Sequence, residues 1–127
     1  MHSRLLVFIA ITLSLALYTG CEGGKATNAY AVYTGGDARR GVKVIEKYRC
    51  GACHVIPGIN NANGLVGPPL MWWSRRTFVG GEVPNKPDDL VRWIMSPKSI
   101  EPGTAMPALG LSEQEARDAA AYLYTLH

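Results

Sequence analysis

The apolar positions of this chain form one unbroken run and three periodic stretches, separated by ground rich in glycine and proline. The run extends from Leu5 to Tyr18, behind the short basic start Met1-His2-Ser3-Arg4. It is too short for a comfortable membrane span and has the shape of an export signal over residues 1–20. An uncleaved N-terminal anchor is the alternative. Residues 22–36, with Gly23, Gly24, Gly35 and Gly36, show no helical period and read as a flexible tether. An ordered extension packed on the domain is the other reading.

The periodic stretches begin at Asp37, which is placed to cap a helix running to about Arg49. Gly41, Val44, Ile45 and Tyr48 fall on one face at helical spacing. Glycine inside a helix costs up to about 1 kcal/mol relative to alanine, so Gly41 suggests the close approach of another helix. Pro57 to Pro69 shows no period and reads as loop, followed by a short helix over Leu70–Phe78 and a second loop over Gly80–Lys86. Pro87 suits the first turn of a helix and Asp88 and Asp89 its positive end. That helix should run to about Met95 and stop before Pro97. After a proline- and glycine-rich loop over 97–110, Ser112-Glu113-Gln114-Glu115 is a capping box. Behind it Ala116, Ala119, Ala120 and Leu123 form an apolar stripe flanked by Tyr122 and Tyr124, in a helix expected to reach almost to His127. No repeats and no alternating strand pattern of useful length appear. The expected fold is all-α: one domain over 37–127, with three to five short helices.

The chain has 127 residues, three cysteines and a formal net charge of +3. So small a charge gives no support to a nucleic-acid role. Two of the cysteines lie in Cys50-Gly51-Ala52-Cys53-His54, which reads C-x-x-C-H, the attachment site of a c-type haem. Thiols at this spacing can each add to one vinyl group on a single porphyrin edge, and the adjacent histidine then falls under the iron. A thioredoxin-like dithiol would need a strand–helix alternation that is missing. A zinc site would need a second ligand pair, and His2 and His127 lack the spacing for one.

With two thiols given to haem, Cys21 has no partner left in the chain. Leu17-Tyr18-Thr19-Gly20-Cys21 resembles the lipobox of bacterial lipoproteins, with Tyr18 where leucine is usual. Lipidation of Cys21 would place the protein in the periplasm, held on the membrane by several acyl chains. Pairing between chains and a free thiol are the other fates open to it.

The second axial ligand decides what the iron can do. Of the four methionines, Met1 leaves with the signal, and Met71 and Met95 suit core-filling. Met106 stands in Gly103-Thr104-Ala105-Met106-Pro107, on a loop stiffened by prolines just before a helix, and is the candidate. A His54/Met106 pair would raise the reduction potential and leave no open position. Such a protein passes single electrons and is not an enzyme; it has no small-molecule substrate. A haem sensor or peroxidase-like enzyme becomes the reading if Met106 is not a ligand.

Residues 37–127 resemble a class I (mitochondrial-type) bacterial cytochrome c. The resemblance rests on Gly41 through Tyr48 leading into Cys50–His54, then Gly67-Pro68-Pro69-Leu70, Leu90-Val91-Arg92-Trp93-Ile94, and Met106-Pro107 before the last helix. Ile45 is aliphatic where the family often has an aromatic. The resemblance implies a covalently bound haem c, with the Pro68 carbonyl accepting a bond from the other ring nitrogen of His54. It further implies that Leu70 packs on the haem, that Trp93 donates its indole N–H to a propionate and that Arg75 or Arg76 neutralises one. The implied partners are redox proteins such as a respiratory oxidase, reductase or dehydrogenase, to which the chain is a shuttle or a fixed subunit. Arg39, Arg40, Lys43, Lys47 and Arg49 make the first helix basic, a surface suited to an acidic dock.

Overall fold

The computed structural model describes residues 33–127. The expected signal at 1–20, the anchor residue Cys21 and most of the expected tether lie outside the described residues. Three helices carry the fold: α1 (Ala38–Lys47), α2 (Pro87–Met95) and α3 (Glu113–Leu123). Among the described residues no helix is long and apolar enough to cross a membrane.

Asp37 caps α1 as its position predicts, its Oδ1 accepting from the amides of Arg39 (2.8 Å) and Arg40 (3.0 Å). Ala38, Gly41, Val44 and Ile45 form the buried face. The helix stops at Lys47 rather than Arg49, because Arg49 takes the left-handed backbone region at φ 55° and turns the chain. α2 starts with Pro87 and ends before Pro97, which opens a 3-10 turn over Pro97–Ser99. α3 begins with both halves of the capping box formed. It ends at Leu123, short of the expected His127. Beyond it the amides of Thr125 and Leu126 bond three residues back, to Tyr122 and Leu123, which tightens the chain out of the α-helix.

α1 and α3 pack on each other most extensively, and α2 packs on α3. A Cβ built on Gly41 would lie 2.2 Å from the Asp118 carbonyl oxygen, so only glycine admits this helix crossing. Asp118, 3% exposed, sits in the seam. It accepts from Arg40 Nε (2.7 Å) and Nη2 (2.8 Å), from the Asp37 amide (2.8 Å) and from Gln114 Nε2 (3.0 Å). Burial alone would raise its pKa, but these donors outweigh it and hold the carboxyl below its ordinary value. Around the seam Val44, Ile45, Leu90, Val91, Ala116, Ala119, Ala120 and Leu123 form one apolar cluster. Burying a side chain such as Leu90 contributes about 2 kcal/mol.

The segment read as tether is packed at its end. Thr34 is fully buried, and Arg117 Nη1 and Gln114 Nε2 reach the carbonyls of Thr34 and Gly35.

The helix expected over Leu70–Phe78 does not form. Trp72 adopts φ 52°, Trp73–Arg75 make a single 3-10 turn, and Arg76 is extended. The cause is Asn85, whose Nδ2 donates to the carbonyls of Trp73 (3.1 Å) and Arg76 (3.0 Å) and so takes acceptors a helix would use itself. A small antiparallel pair follows, β1 (Phe78–Val79) and β2 (Val83–Pro84), with Val79 opposite Val83. Gly80 and Gly81, both at positive φ, permit the tight connection.

Candidate functional site

The left-handed turn at Arg49 leads directly into a 3-10 turn over Cys50–Ala52. The amides of Cys53 and His54 both bond to the Cys50 carbonyl, at 3.2 and 3.0 Å. This compact winding brings both thiols and the imidazole onto one turn. Cys50 and Cys53 are half-buried and not joined to each other. Burial pushes the Cys50 thiol up from its ordinary value.

The loop after His54 folds back and clamps this turn through its backbone. Gly64 N donates to Gly51 O (3.0 Å), Gly67 N to Cys53 O (2.8 Å) and Leu70 N to Val55 O (2.8 Å). Glycine and proline make the loop aperiodic in sequence, yet its hydrogen bonds make it a fixed wall.

His54 Nδ1 stands 2.7 Å from the Pro68 carbonyl oxygen. A carbonyl only accepts, so Nδ1 carries a proton, and in the neutral imidazole this leaves the lone pair on Nε2. That tautomer presents Nε2 to a metal. A Cβ at Gly67 would lie 2.4 Å from His54 Cε1 and 2.9 Å from Nε2. Gly67 therefore gives the ring its room, a role sequence reasoning missed although it named the run in which the residue sits.

The other expected residues fall in three places. Leu70 is buried in the cluster beside this wall. Trp93, on α2, is buried with the far edge of its ring against Gly80. Met106 lies on the loop between the 3-10 turn and α3, half-buried against the core, its amide donating to Thr104 Oγ1 (3.2 Å). Met71 and Met95 are also half-buried, and Met95 packs on the same cluster.

Two residues next to the wall were not singled out as a pair. Trp73 is 4% exposed, and its indole N–H is buried without a hydrogen-bond partner among the described residues. Arg76 stacks over the Trp73 ring, its Cζ 5.1 Å from the centroid, and donates through Nη2 to the Pro69 carbonyl. The tryptophan doublet directly after Gly67-Pro68-Pro69-Leu70 was the available signal. Arg75, the other candidate cation, is exposed.

This donor set fits a covalently attached haem: two free thiols on one turn, an imidazole with a free Nε2, and one buried indole N–H without an acceptor among the described residues. A zinc site fits less well. Among the described residues no three His, Cys, Asp or Glu side chains gather where they could hold a metal ion.

The basic face of α1 is partly neutralised. Arg40 pairs with Asp118 at 2.7 Å and Lys47 with Glu115 at 2.7 Å, both across to α3. The donation from Lys47, with those of Ser112 and Tyr48, holds the Glu115 carboxyl down to about 2.

A family model described as cytochrome c matches residues 38–127. Over 90 residues, 70% of this chain, the sequence is 32% identical to a cytochrome c oxidase subunit 2 of Alkalihalophilus pseudofirmus, covering 25% of that protein. Over 100 residues, 72% of this chain, it is 36% identical to a cytochrome c-type protein, cyt cy, of Rhodobacter capsulatus, covering 50% of it. The chain thus spans half or less of the length of these relatives. With the C-x-x-C-H turn, its histidine and the three helices in place, the chain belongs to the cytochrome c family: it is a class I bacterial cytochrome c, whose haem c is covalently attached.

Proposed function

We propose that this protein is a His54/Met106-ligated one-electron carrier, tethered through lipidated Cys21 to the outer face of the cytoplasmic membrane, and that it passes electrons between respiratory redox proteins. The observation that carries the reading is the placement of Met106. It is half-buried against the core on a loop bounded by Pro102 and Pro107, with its amide tied to Thr104. A thioether held this way loses little further freedom on binding a metal. Haem c supplies a one-electron iron couple. The chain's own work is to fix that iron from both sides, raise its potential with a soft sulfur ligand and keep other ligands out.

On the histidine side, Pro68 and Gly67 set the ring. The Pro68 carbonyl makes Nε2 a better donor by holding the proton on Nδ1. Gly67 leaves the imidazole free to take the orientation that iron requires.

One of the two relatives is named as an oxidase subunit, which favours a respiratory setting and supports the second reading, a haem module fixed to an oxidase or dehydrogenase. Copurification with a larger enzyme after mild detergent extraction separates the two. A shuttle leaves the column alone.

The test of the ligand set is the absorption spectrum of the exported protein and of Met106→Ala. The wild type should be low-spin, with a sulfur-to-iron band near the red end of the ferric spectrum, and the variant should lose the band. A high-spin wild type, or a band indifferent to the substitution, gives the iron an open site and turns attention to ligand binding. Cys21→Ala should release the protein from membranes into the soluble periplasmic fraction.

A further inference from the structure

The loop that clamps the Cys50–His54 turn carries two large apolar side chains on its outside. Leu65 is 88% exposed and Val66 75%, the highest values for large apolar side chains among the described residues. At these exposures neither side chain takes part in the wall's own contacts. The pair is nonetheless held still. Gly64 N donates to Gly51 O and Gly67 N to Cys53 O, so both flanks are tied to the turn that bears the two thiols. A Cβ at Gly64 would meet the Ala52 carbonyl oxygen at 2.2 Å, so backbone packs directly on backbone there. Leu65 and Val66 form a fixed apolar knob mounted on the Cys50–His54 turn.

The ground around the knob carries no formal charge. Residues 50–74 contain no Lys, Arg, Asp or Glu, and neither do residues 102–112 around Met106, where Leu109 is 41% exposed. All 13 basic and 10 acidic residues lie outside these two stretches. On α1, Arg40 and Lys47 are already taken up by Asp118 and Glu115. A charged partner surface seated on such ground would give up its water and find no counter-charge. The partner that fits is a redox protein whose own docking face is uncharged and apolar. A second copy of this chain fits less well, since a closed pair of knobs would cover the turn beside which electrons must pass. Redox encounters bury little area, so two fixed side chains can carry a large share of one.

We propose that Leu65 and Val66 are the contact through which this chain docks on its redox partners, in place of the basic face of α1, and that the docking is nearly independent of salt. The proposal rests on the one-electron-carrier reading above. Once docked, the reduced protein gives up one electron and the oxidised centre of the partner takes it; no bond forms or breaks.

The test uses the reduced, haem-loaded full chain in mild detergent and respiratory membranes from cells that lack it. Wild type is compared with Leu65→Gln, Val66→Thr, which keeps the volume and removes apolar surface, and with Leu65→Met, Val66→Ile, which keeps the apolar surface. The polar pair should lower the second-order rate of oxidation by the membranes about tenfold, and the apolar pair should retain most of it. Between about 0.01 M and about 0.1 M salt the Debye length falls from about 30 Å to about 10 Å, and the wild-type rate should change less than about twofold. Visible spectrum, rate of oxidation by ferricyanide and monomeric elution on gel filtration should be the same in all three proteins. A wild-type rate that falls about tenfold or more across this salt range overturns the proposal, since only charge steering does that. So does a polar pair that keeps the wild-type rate, a changed spectrum, which would put the two side chains against the haem, or a wild-type dimer that the polar pair dissociates. Oxidation by ferricyanide without oxidation by the membranes would sink the respiratory carrier reading itself, and the proposal with it.

Discussion

The seam between α1 and α3 and the wall beside His54 are built from similar materials to opposite ends. In the seam, polar groups close on one another: Asp118 accepts four hydrogen bonds, and Glu115 takes Lys47, Tyr48 and the Ser112 cap. In the wall, His54 keeps Nε2 open, and among the described residues Trp73 finds no acceptor and Arg76 no carboxylate. A self-satisfied network contributes to the stability of the chain alone. An unsatisfied one is stabilised only when a complementary group binds, and so selects that group. The comparison predicts that lesions in the seam act on stability and lesions in the wall act on the haem spectrum.

The largest expected effect is at Gly41. Alanine there gains up to about 1 kcal/mol of helix propensity. Its Cβ, however, would meet the backbone oxygen of Asp118 at 2.2 Å and Tyr122 Cβ at 2.8 Å. Backbone cannot rotate aside, so the helices must separate, which also stretches the Arg40–Asp118 pair. Overpacking of this kind costs about 3 kcal/mol, leaving a net loss near 2 kcal/mol. Thermal unfolding of Gly41→Ala should fall by roughly 10 °C, with the visible spectrum of the folded protein unchanged. An altered spectrum at full stability would break the division between the two regions.

Gly67→Ala should do the reverse. The added methyl displaces the His54 ring, since its nearest atoms are imidazole atoms that can swing aside, with Cε1 the closest at 2.4 Å. The expected result is weakened iron–histidine coordination, seen as loss of the low-spin spectrum, with a melting shift smaller than that of Gly41→Ala. Retention of a wild-type spectrum would show that the ring has room the structure does not display.

The seam was largely legible in the sequence and the wall only in part. A glycine on the apolar face of a helix announced a close crossing, and Ser112 with Glu115 announced a cap, because both signals are local. The Cys50–His54 motif was legible for the same reason, since it lies in five adjacent residues, and the structure winds them into one turn. The break at Trp73 was not, because it is imposed by Asn85 from across the hairpin. A propensity reading of Leu70–Phe78 has no access to a competing acceptor so far along the chain. The partner of His54 came from family resemblance alone; nothing in the spacing of Pro68 reveals that its carbonyl turns toward the ring. Burial without a partner, which separates Trp73 from Trp93, is a property of the packed molecule and leaves no mark on either residue's sequence context.

The smallest expected effect concerns acid, and it sharpens the comparison by placing a pH dependence in the seam. Glu115 is held at about 2 against an ordinary 4.5, first by Lys47, then by the Ser112 amide and hydroxyl and by Tyr48. A carboxyl with a depressed folded pKa stabilises the fold above its unfolded value and loses that contribution as pH falls through the folded one. Glu115 therefore gives its full contribution above about pH 4.5 and has lost it near pH 2. Asp37 and Asp118 are shifted in the same direction, so acidification weakens the seam at three points. Urea unfolding of Glu115→Gln between pH 5 and pH 2 should show a shallower decline than wild type, not a flat line, because the two aspartates still titrate. The variant should start from a lower stability at pH 5 and converge on wild type at the acid end. Curves that stay parallel across this range would mean that the Lys47–Glu115 contact, exposed on its lysine side, is screened by water and that the capping box carries no charge-dependent share of the seam.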